Sequence, residues 1–404
     1  MTLTLSLDRC YEILEPLGRG GFGTVYRARY LGEGDFAKEV ALKVLRSDVD
    51  APEEVASRLR DEARMLAMLR HRAIVQVDQL TRLQDRWAVV MEYVEGVDLG
   101  RLLSRGPLPQ GCALEVAAEV AGALHAAWTG RNPEGGALEL LHRDIKPSNL
   151  RLTARGEVKV LDLGIARARF DSREAHTRSL ALGTPSYMAP ERFELTDGPE
   201  GDVYALGVVL YEMLTGRRLG RTWVSRRRHQ GVIDEAMEAL DDAVLPQVRA
   251  LVEGMLAWRP SDRPTARDVE WITLTLARRC DDPPLRFWAE RAVLHEARQE
   301  RESSANAADR EGLVGSILVA QSTPTRAEPR PPTRRAPPRR WWWSPRTRHS
   351  RSLSASCPST PWRRRLPRAD AARCGGWRPP RCSQASPWVT PPPGPGSPRR
   401  CPRS

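Results

Sequence analysis

An eight-residue segment near the middle of the chain combines residue types that can accept a proton and stabilise negative charge. It reads His-Arg-Asp-Ile-Lys-Pro-Ser-Asn and contains Asp144, Lys146 and Asn149. A positioned carboxylate such as that of Asp144 can take the proton of an attacking hydroxyl group. The ammonium of Lys146 can stabilise charge on a group in transfer. The segment predicts a catalytic site rather than a solvated cluster of charges.

A β-hairpin is predicted directly after this segment, with strand-like runs at 150–152 and 158–161 and a turn at Gly156. Antiparallel strands of similar length bring their outer ends together. Asn149 and Asp162 flank those ends, so we expect them to lie side by side. An amide oxygen and a carboxylate are hard ligands of the kind that Mg²⁺ shares with phosphates. The spacing therefore predicts a Mg²⁺ site.

A glycine-rich segment near the N-terminus predicts contact with phosphate groups. Residues 17–25 read LGRGGFGTV, and glycines let the backbone approach phosphates and donate N–H groups. The pattern alone is weak, because ordinary hairpins and dinucleotide-binding folds also show it. Since the chain continues from Thr24 to Tyr30 as a strand and not as a helix, the dinucleotide-binding interpretation fails.

A lysine interrupts an apolar strand shortly afterwards. Val40, Leu42 and Val44 share one face of this strand, and Ala41 and Lys43 share the other, under the glycine-rich segment. A lysine in such a strand can extend to water. The helix predicted after it favours a functional interpretation instead.

That helix has a buried stripe that includes a carboxylate. The stripe consists of Val55, Leu59, Glu62, Leu66 and Leu69. A carboxylate in a buried stripe is costly unless it is paired. We therefore expect Glu62 to pair with Lys43 and to hold the lysine against nucleotide phosphates.

The distribution of predicted elements indicates an α+β fold of two unequal parts. Residues from about 11 to 99 alternate strands with one helix, and residues from about 100 to 300 are mostly helical with one strand pair. The chain of 404 residues is 41% apolar, which is enough for a substantial core.

With these motifs in place, residues 11–275 resemble the eukaryotic-like (Hanks-type) Ser/Thr protein kinases of bacteria. The matching motifs are the glycine-rich loop, the strand lysine, the catalytic loop, Asp162-Leu163-Gly164 and Ala189-Pro190-Glu191. The resemblance implies a bilobal fold, with a β-rich N-lobe over 11–94, a helical C-lobe over 95–275, and ATP between them.

The resemblance also assigns roles to individual residues. It implies Asp144 and Lys146 as catalytic residues, and Asn149 and Asp162 as Mg²⁺ ligands. It implies Met91 as the gatekeeper residue, backbone contacts to adenine, and a buried ion pair between Glu191 and Arg263. The nucleotide-binding residues it implies are Leu17, Gly18, Gly20, Gly23, Val25, Ala41, Lys43, Glu62, Met91, Glu92 and Val94.

The implied activity is transfer of the γ-phosphoryl group of ATP to Ser or Thr hydroxyls of proteins. Lys146, and Gly183-Thr184 before the Ala-Pro-Glu motif, favour Ser/Thr over Tyr as acceptors. Arg143 resembles the arginine of kinases that are activated by phosphorylation of the activation loop, through self-association in trans. The candidate phosphorylation sites are Thr177 and Ser179, and plain solvated hydroxyls are an equal alternative.

Two features depart from the family pattern. The connection from Thr129 to Leu140 is longer than usual. The stretch from Arg217 to His229 is Arg-rich where kinases often carry a Pro-Phe docking segment, which puts the usual substrate docking there in doubt.

Outside 11–275 we expect a leader at 1–10, a helical extension at 276–320 and a disordered tail at 321–404. The tail has 19 Arg, no Lys and two acids, a balance of +17, so residues 1–320 carry about −5 of the formal +12. Its Arg and Trp could bind nucleic acid, and its Pro could dock partner domains. We favour a disordered appendage or an out-of-frame product of GC-rich DNA.

The remaining composition predicts a cytoplasmic protein without a signal peptide or membrane segment. Cys10, Cys112 and Cys280 are isolated, as expected of reduced thiols. Two rival functions make different predictions. A pseudokinase scaffold predicts loss of Lys43, Asp144 or the metal-binding Asp162, and none is lost. A nucleic-acid-binding protein predicts salt-dependent binding that truncation near residue 320 abolishes.

Overall fold

The computed structural model of the protein describes residues 9–20, 23–33, 35–45, 65–83, 86–132, 135–163, 185–194, 196–304 and 313–321. They form the predicted α+β fold, in which a lobe of strands precedes a lobe of helices. The strands are β1 (Cys10–Gly20), β2 (Gly23–Leu31), β3 (Ala37–Leu45), β4 (Val77–Leu83), β5 (Arg86–Glu92), β6 (Val97–Asp98), β7 (Leu150–Leu152), β8 (Val158–Val160) and β9 (Ile317–Gln321). The α-helices whose bounds are described are α1 (Leu99–Leu103), α2 (Gln110–Thr129), α3 (Pro199–Thr215), α4 (Arg226–Glu238), α5 (Pro246–Met255), α6 (Ala266–Ala277) and α7 (Leu285–Ser304).

The strands of the N-lobe close into a barrel in the order β1-β2-β3-β5-β4-β9. Strand β9, from the far end of the described chain, fills the gap between β1 and β4. It places Leu318 opposite Tyr11 of β1 and Ala320 opposite Leu83 of β4. Because a closed barrel has no edge strands, both β1 and β4 have their backbone groups paired where β9 runs.

The barrel has a hydrophobic core of its own, separate from the main cluster of the protein. Val40, Leu42 and Val44 of β3 all belong to the barrel core, whereas Ala41 belongs to the main cluster. The predicted two faces of this strand are therefore confirmed. The alternation places Lys43 on the side that faces the C-lobe.

Helix α3 is the buried centre of the helical lobe. Every residue from Gly201 to Met213 is buried. Pro199 stands in the first turn, where an N–H is not needed, and Gly216 ends the helix with a φ of 66°, a left-handed conformation that favours glycine. A polar side chain in such a buried helix needs hydrogen-bond or ion-pair partners. Asp202 is one residue of this kind.

The segment after α6 corrects the sequence analysis. Helix α7 lies in the predicted helical extension and buries Leu285, Ala289 and Val293, which are spaced four apart. The end of the extension is not helical, because residues 317–321 form β9. Exposure along β9 alternates between 58%, 2%, 45% and 7% from Ile317 to Ala320, which is the period of a strand.

Two further expectations can be compared with the described residues. Cys112 and Cys280 are free thiols, as expected. Within the described ranges, every helix is too short or too polar to cross a membrane.

Candidate active site

Asp144 is held by two donors that meet at one of its oxygens. Lys146 Nζ lies 2.8 Å from Asp144 Oδ2, and Asn149 Nδ2 donates to the same oxygen at 3.0 Å. Asn149 Nδ2 also donates to the backbone oxygen of Asp144 at 2.8 Å. Because both side-chain donors use Oδ2, Oδ1 faces away from them and is available as a proton acceptor. The Asp144 side chain keeps 47% of its surface exposed, so a substrate hydroxyl can reach it.

The hairpin brings the two expected metal ligands together. Leu150 pairs with Val160 across β7 and β8, and Leu161 N donates to Asn149 O at 2.8 Å. Asp162 follows Leu161 directly, so the backbones of Asp162 and Asn149 lie close to one another. The hairpin turn contains Gly156, whose φ of 82° favours glycine and whose Cα packs against the backbone of α7.

Lys43 reaches across from the N-lobe to Asp162. Its Nζ lies 2.5 Å from Asp162 Oδ1, and only 6% of the Lys43 residue is exposed. Burial raises the pKa of the Asp162 carboxyl, but the Lys43 ammonium outweighs it, so this pKa lies below its ordinary value. The expected partner of Lys43, Glu62, lies outside the described residues; Leu66 and Leu69 of the same predicted stripe are buried as expected.

His142 connects the catalytic loop to the hairpin. Asp144 N donates to His142 Nδ1 at 3.2 Å, and His142 Nε2 lies 2.9 Å from Leu161 O. Since Nδ1 accepts, the ring hydrogen is on Nε2 and is donated to Leu161 O. Only 1% of His142 is exposed, so it fixes the loop without contacting a substrate.

Asp202 at the start of α3 holds the backbone of the catalytic loop, a role that sequence analysis missed. Its two oxygens accept from His142 N at 2.7 Å and from Arg143 N at 2.8 Å. Arg143 has a φ of 66°, which is strained for a non-glycine residue by about 1–3 kcal/mol. The two hydrogen bonds stabilise this strained turn. A buried aspartate heading an apolar helix was the sequence signal, because such a carboxylate needs donors.

Arginines neutralise the charge behind the loop. Arg192 donates to Asp202 Oδ1 at 2.8 Å and to Asp197 Oδ1 at 2.9 Å. Arg143 also donates to Asp197. Burial raises the pKa of Asp202, but the Arg192 guanidinium outweighs it, so the carboxyl stays ionised with a pKa below its ordinary value.

The expected nucleotide-binding residues of the N-lobe line one side of the barrel. Ala41 and Met91 are buried in the main cluster, and Leu17 and Val25 pack against it while partly exposed. They lie on the same side of the sheet as Lys43, where an apolar base could pack against them.

The glycine-rich segment is the turn between β1 and β2, where Gly20 pairs with Gly23 and Gly18 pairs with Val25. A Cβ on Gly23 would collide with the backbone carbonyl of Val44, so only glycine fits there. A Cβ on Gly18 would meet no atom within 4 Å, so packing does not explain that glycine.

The segment after β5 joins the two lobes and is fixed by two bonds from the hairpin. Lys159 Nζ lies 2.8 and 2.9 Å from the two carboxylate oxygens of Glu92, and Arg151 Nε donates to Val94 O at 2.9 Å. Glu92 N donates to Gln76 O at 2.9 Å. These bonds occupy two of the backbone groups at the expected adenine site, the amide of Glu92 and the carbonyl of Val94.

Lysine is rare in this chain, and its positions are informative. Arg accounts for 59 of the 63 basic residues, and the four lysines are Lys38, Lys43, Lys146 and Lys159. The last three pair with Asp162, Asp144 and Glu92 around the cleft. In a chain that otherwise uses arginine, lysine at these three positions marks the carboxylates of the cleft.

The expected ion pair between Glu191 and Arg263 is present. Arg263 Nη1 and Nη2 lie 2.6 and 2.8 Å from the two oxygens of Glu191, and the Arg263 side chain is fully buried. The candidate phosphorylation sites Thr177 and Ser179, and Gly183-Thr184, lie outside the described residues.

Comparison with known proteins agrees with this architecture. The family model of the protein kinase domain matches residues 11–271, so the chain belongs to the protein kinase family. The bilobal fold and the cleft between barrel and helices are those of this family. Strand β9 and helix α7 lie beyond the match.

The similar curated proteins are bacterial kinases. The serine/threonine-protein kinase PknB of Mycobacterium tuberculosis is 39% identical over 224 residues, which is 54% of this chain and 34% of PknB. PrkC of Bacillus subtilis, also named a serine/threonine-protein kinase, is 38% identical over 210 residues, 51% of this chain and 30% of PrkC. A protein named tyrosine-protein kinase MasK, from Myxococcus xanthus, is 35% identical over 269 residues, 63% of this chain and 41% of MasK. The match thus spans less than half the length of each relative.

Proposed function

We propose that this chain is a serine/threonine protein kinase that transfers the γ-phosphoryl group of ATP to protein hydroxyls. The observation that carries the proposal is the arrangement of Asp144, with Lys146 and Asn149 both bonded to its Oδ2. This leaves one carboxylate oxygen free to accept a proton beside an ammonium that can stabilise the transferring group.

Asp144 acts as the base in this proposal. The substrate hydroxyl approaches Asp144 Oδ1, and its proton passes to that oxygen as the hydroxyl oxygen attacks the γ-phosphorus. The bond to the β–γ bridging oxygen breaks, and ADP leaves. Lys146 remains bonded to Oδ2 and lies where it can stabilise the negative charge on the moving phosphoryl group.

Asn149 and Asp162 would hold Mg²⁺, and the donor set fits this ion. Asn149 turns its amide nitrogen towards Asp144, so its amide oxygen faces the other way. Asp162 offers a carboxylate kept ionised by Lys43, with 39% of its side chain exposed. When bound, Mg²⁺ neutralises charge on the nucleotide phosphates. The Lys43–Asp162 ion pair holds the two side chains in place until the phosphates enter.

ATP would lie between the barrel and the helical lobe. The glycine-rich turn with Gly18, Gly20 and Gly23 would contact phosphates through backbone N–H groups. The base would pack against the apolar residues Leu17, Val25, Ala41 and Met91, and the Glu92 carbonyl and Val94 amide would hydrogen-bond its edge.

Ser/Thr is preferred to Tyr as the acceptor because Lys146 approaches Asp144 closely and occupies the space beside it. The names of PknB and PrkC agree with this assignment, whereas that of MasK specifies tyrosine. Activation through phosphorylation of Thr177 or Ser179, in trans between two associated copies, is part of the proposal. Arg143 would bind that phosphate, and because its guanidinium already bonds Asp197, the phosphate must share or displace this partner.

The test is incubation of the full chain with Mg²⁺ and labelled ATP beside an Asp144→Asn variant, followed by mapping of modified residues by mass spectrometry. Phosphoserine or phosphothreonine in the wild type alone supports the proposal. Phosphotyrosine alone would show that the chain is a tyrosine-protein kinase. ATP binding without incorporation into the chain or into a basic protein substrate would favour the scaffold alternative.

A further inference from the structure

The stretch between α3 and α4 carries six arginines, which we call the arginine surface. They are Arg217, Arg218, Arg221, Arg226, Arg227 and Arg228. All six are exposed. Arg192 and Arg263 nearby are buried and bonded to carboxylates, whereas none of the six forms such an ion pair with another described residue. Six unneutralised charges within twelve residues repel one another and attract anions.

An indole organises part of this surface. The guanidinium carbons of Arg221 and Arg228 lie 5.6 and 5.0 Å from the ring centroid of Trp223. These distances are within the range of cation–π contacts. Trp223 thus holds two arginines from different parts of the stretch over one ring. Held side chains lose less entropy when they bind a carboxylate, which favours recognition over simple solubility.

The arginine surface adjoins the segment that leads into the Ala-Pro-Glu motif. Tyr187 Oη in this segment donates to Glu212 Oε2 at 2.8 Å, near the end of α3. Burial raises the pKa of both groups, and the positive charge of Arg218 acts on both in the opposite direction. Arg218 therefore lies close to this buried pair, at the end of α3 that precedes the arginine surface.

The same segment continues to the catalytic loop. Arg192, five residues after Tyr187, donates to Asp202, which holds the backbone of His142 and Arg143 beside Asp144. The segment from Tyr187 to Arg192 therefore contacts both the end of α3 that precedes the arginine surface and, through Asp202, the support of the catalytic loop.

We propose that the arginine surface docks an acidic segment of the protein substrates. The proposal rests on the proposed function, because it concerns the substrates of the same site. Guanidinium groups bind carboxylates through paired, charge-assisted hydrogen bonds, and a row of them fits a run of Asp or Glu. A nucleic acid has the same sign of charge. A protein segment is the better fit because the segment from Tyr187 to Arg192 contacts both the end of α3 that precedes the arginine surface and the Asp202 that supports the catalytic loop, where a protein hydroxyl must bind.

The test compares two peptide substrates on the full chain. Both contain the same acceptor serine in a short sequence of basic and neutral residues. The acidic peptide adds four glutamates through a flexible linker, and the neutral peptide adds four glutamines through the same linker. Arg226→Gln/Arg227→Gln removes two charges that do not contact Trp223. Arg278→Gln/Arg279→Gln is the matched control, because both residues are exposed and lie just after α6, away from this stretch.

We expect the acidic peptide to have a KM about tenfold lower than the neutral one in the wild type and in the control, since several exposed ion pairs together give about this factor. The Arg226/Arg227 variant should lose most of this difference and keep its kcat. The difference in KM between the two peptides should decrease as the salt concentration is raised. An equal KM for both peptides in the wild type, or a preference that survives in the Arg226/Arg227 variant, overturns the proposal.

Direct binding separates this proposal from the kinase activity itself. Fluorescence anisotropy of the labelled acidic peptide needs no phosphoryl transfer, so it tests docking even if neither peptide is phosphorylated. Weaker binding by the Arg226/Arg227 variant than by the control supports docking. Equal binding by the two variants contradicts it. If the variant instead loses affinity for a labelled single-stranded oligonucleotide and not for the peptide, the arginine surface binds nucleic acid and the proposal is wrong.

Discussion

Strand β9 closes the N-lobe barrel, and replacing its buried leucine should destabilise the whole lobe. Leu318 is 2% exposed and lies in the barrel core with Tyr11, Leu42 and Leu83. Val319, the next residue, is 45% exposed on the outer face. The pair Leu318→Ala and Val319→Ala therefore removes apolar groups from the two faces of one strand, with the backbone pairing unchanged.

The two substitutions should lower the free energy of unfolding by very different amounts. Truncation of a fully buried leucine to alanine lowers the free energy of unfolding by about 2–5 kcal/mol, because transfer energy and cavity formation add. Since β9 is a single strand at the seam of the barrel and can partly close over a void, we expect about 3 kcal/mol for Leu318→Ala. Val319→Ala should cost less than about 0.5 kcal/mol, as is usual for exposed positions.

Urea unfolding followed by tryptophan fluorescence measures the difference, and hydrogen exchange shows where it acts. In the Leu318→Ala variant, amides of β1 and β4 should exchange faster than in the Val319→Ala variant. As a second comparison, a chain that ends at Glu328 should be as stable as the full chain, whereas one that ends at Arg310 should lose the β1 and β4 protection. Equal stability of the two alanine variants would refute the assignment of β9 to the barrel core.

Three further predictions concern buried charges. Asp202→Asn should lower the free energy of unfolding by about 3 kcal/mol and reduce kcat with little change in the KM for ATP. The substitution removes the charge that pairs with Arg192 and leaves one of the two loop N–H groups without an acceptor. Urea unfolding and steady-state kinetics measure both effects. Glu191→Gln should lower the free energy of unfolding by about 3–5 kcal/mol, because it leaves the buried Arg263 without its counter-charge. Glu12→Gln, at a partly exposed ion pair with Arg29, should lower it by less than about 1 kcal/mol. Equal losses in the two variants would contradict the burial of the Glu191–Arg263 pair. Burial lowers the pKa of His229 from 6.5 to about 4, so the unfolded state takes up a proton before the folded state as pH falls. Stability should therefore be complete above pH 6.5 and fall by about 2 kcal/mol towards pH 4. His229→Phe should flatten this slope in urea midpoints measured across that range, and an unchanged slope would contradict the burial of a neutral imidazole.

The catalytic carboxylate and its neighbours could be predicted because their geometry is local. Asp144, Lys146 and Asn149 lie within six residues, and the hairpin that brings Asp162 to Asn149 is short and has a clear turn. In such cases the residue types and the period of the strands determine which side chains meet.

Other parts of the site depend on pairing that the sequence does not encode locally. Asp202 accepts hydrogen bonds from residues 59 and 60 positions away. The only signal in the sequence was the energetic cost of burying its carboxylate without donors. Strand β9 pairs with β1 across the whole described chain, and its residues from Ile317 to Ala320 are all apolar, so alternation of exposure could not be read from residue type. Lys43 contacts Asp162, 119 positions along the chain, and spacing alone did not indicate this contact.

In the proposed mechanism Asp144 serves the transfer step and not the binding of ATP. The direct measurement is turnover and ATP affinity, in parallel, for the full-length wild type and Asp144→Asn. Since a general base contributes about 10²–10⁴-fold, we predict a loss of turnover of at least about 100-fold with ATP affinity within about twofold, because Lys43 and Asp162 are untouched. Turnover that survives in Asp144→Asn would contradict the account.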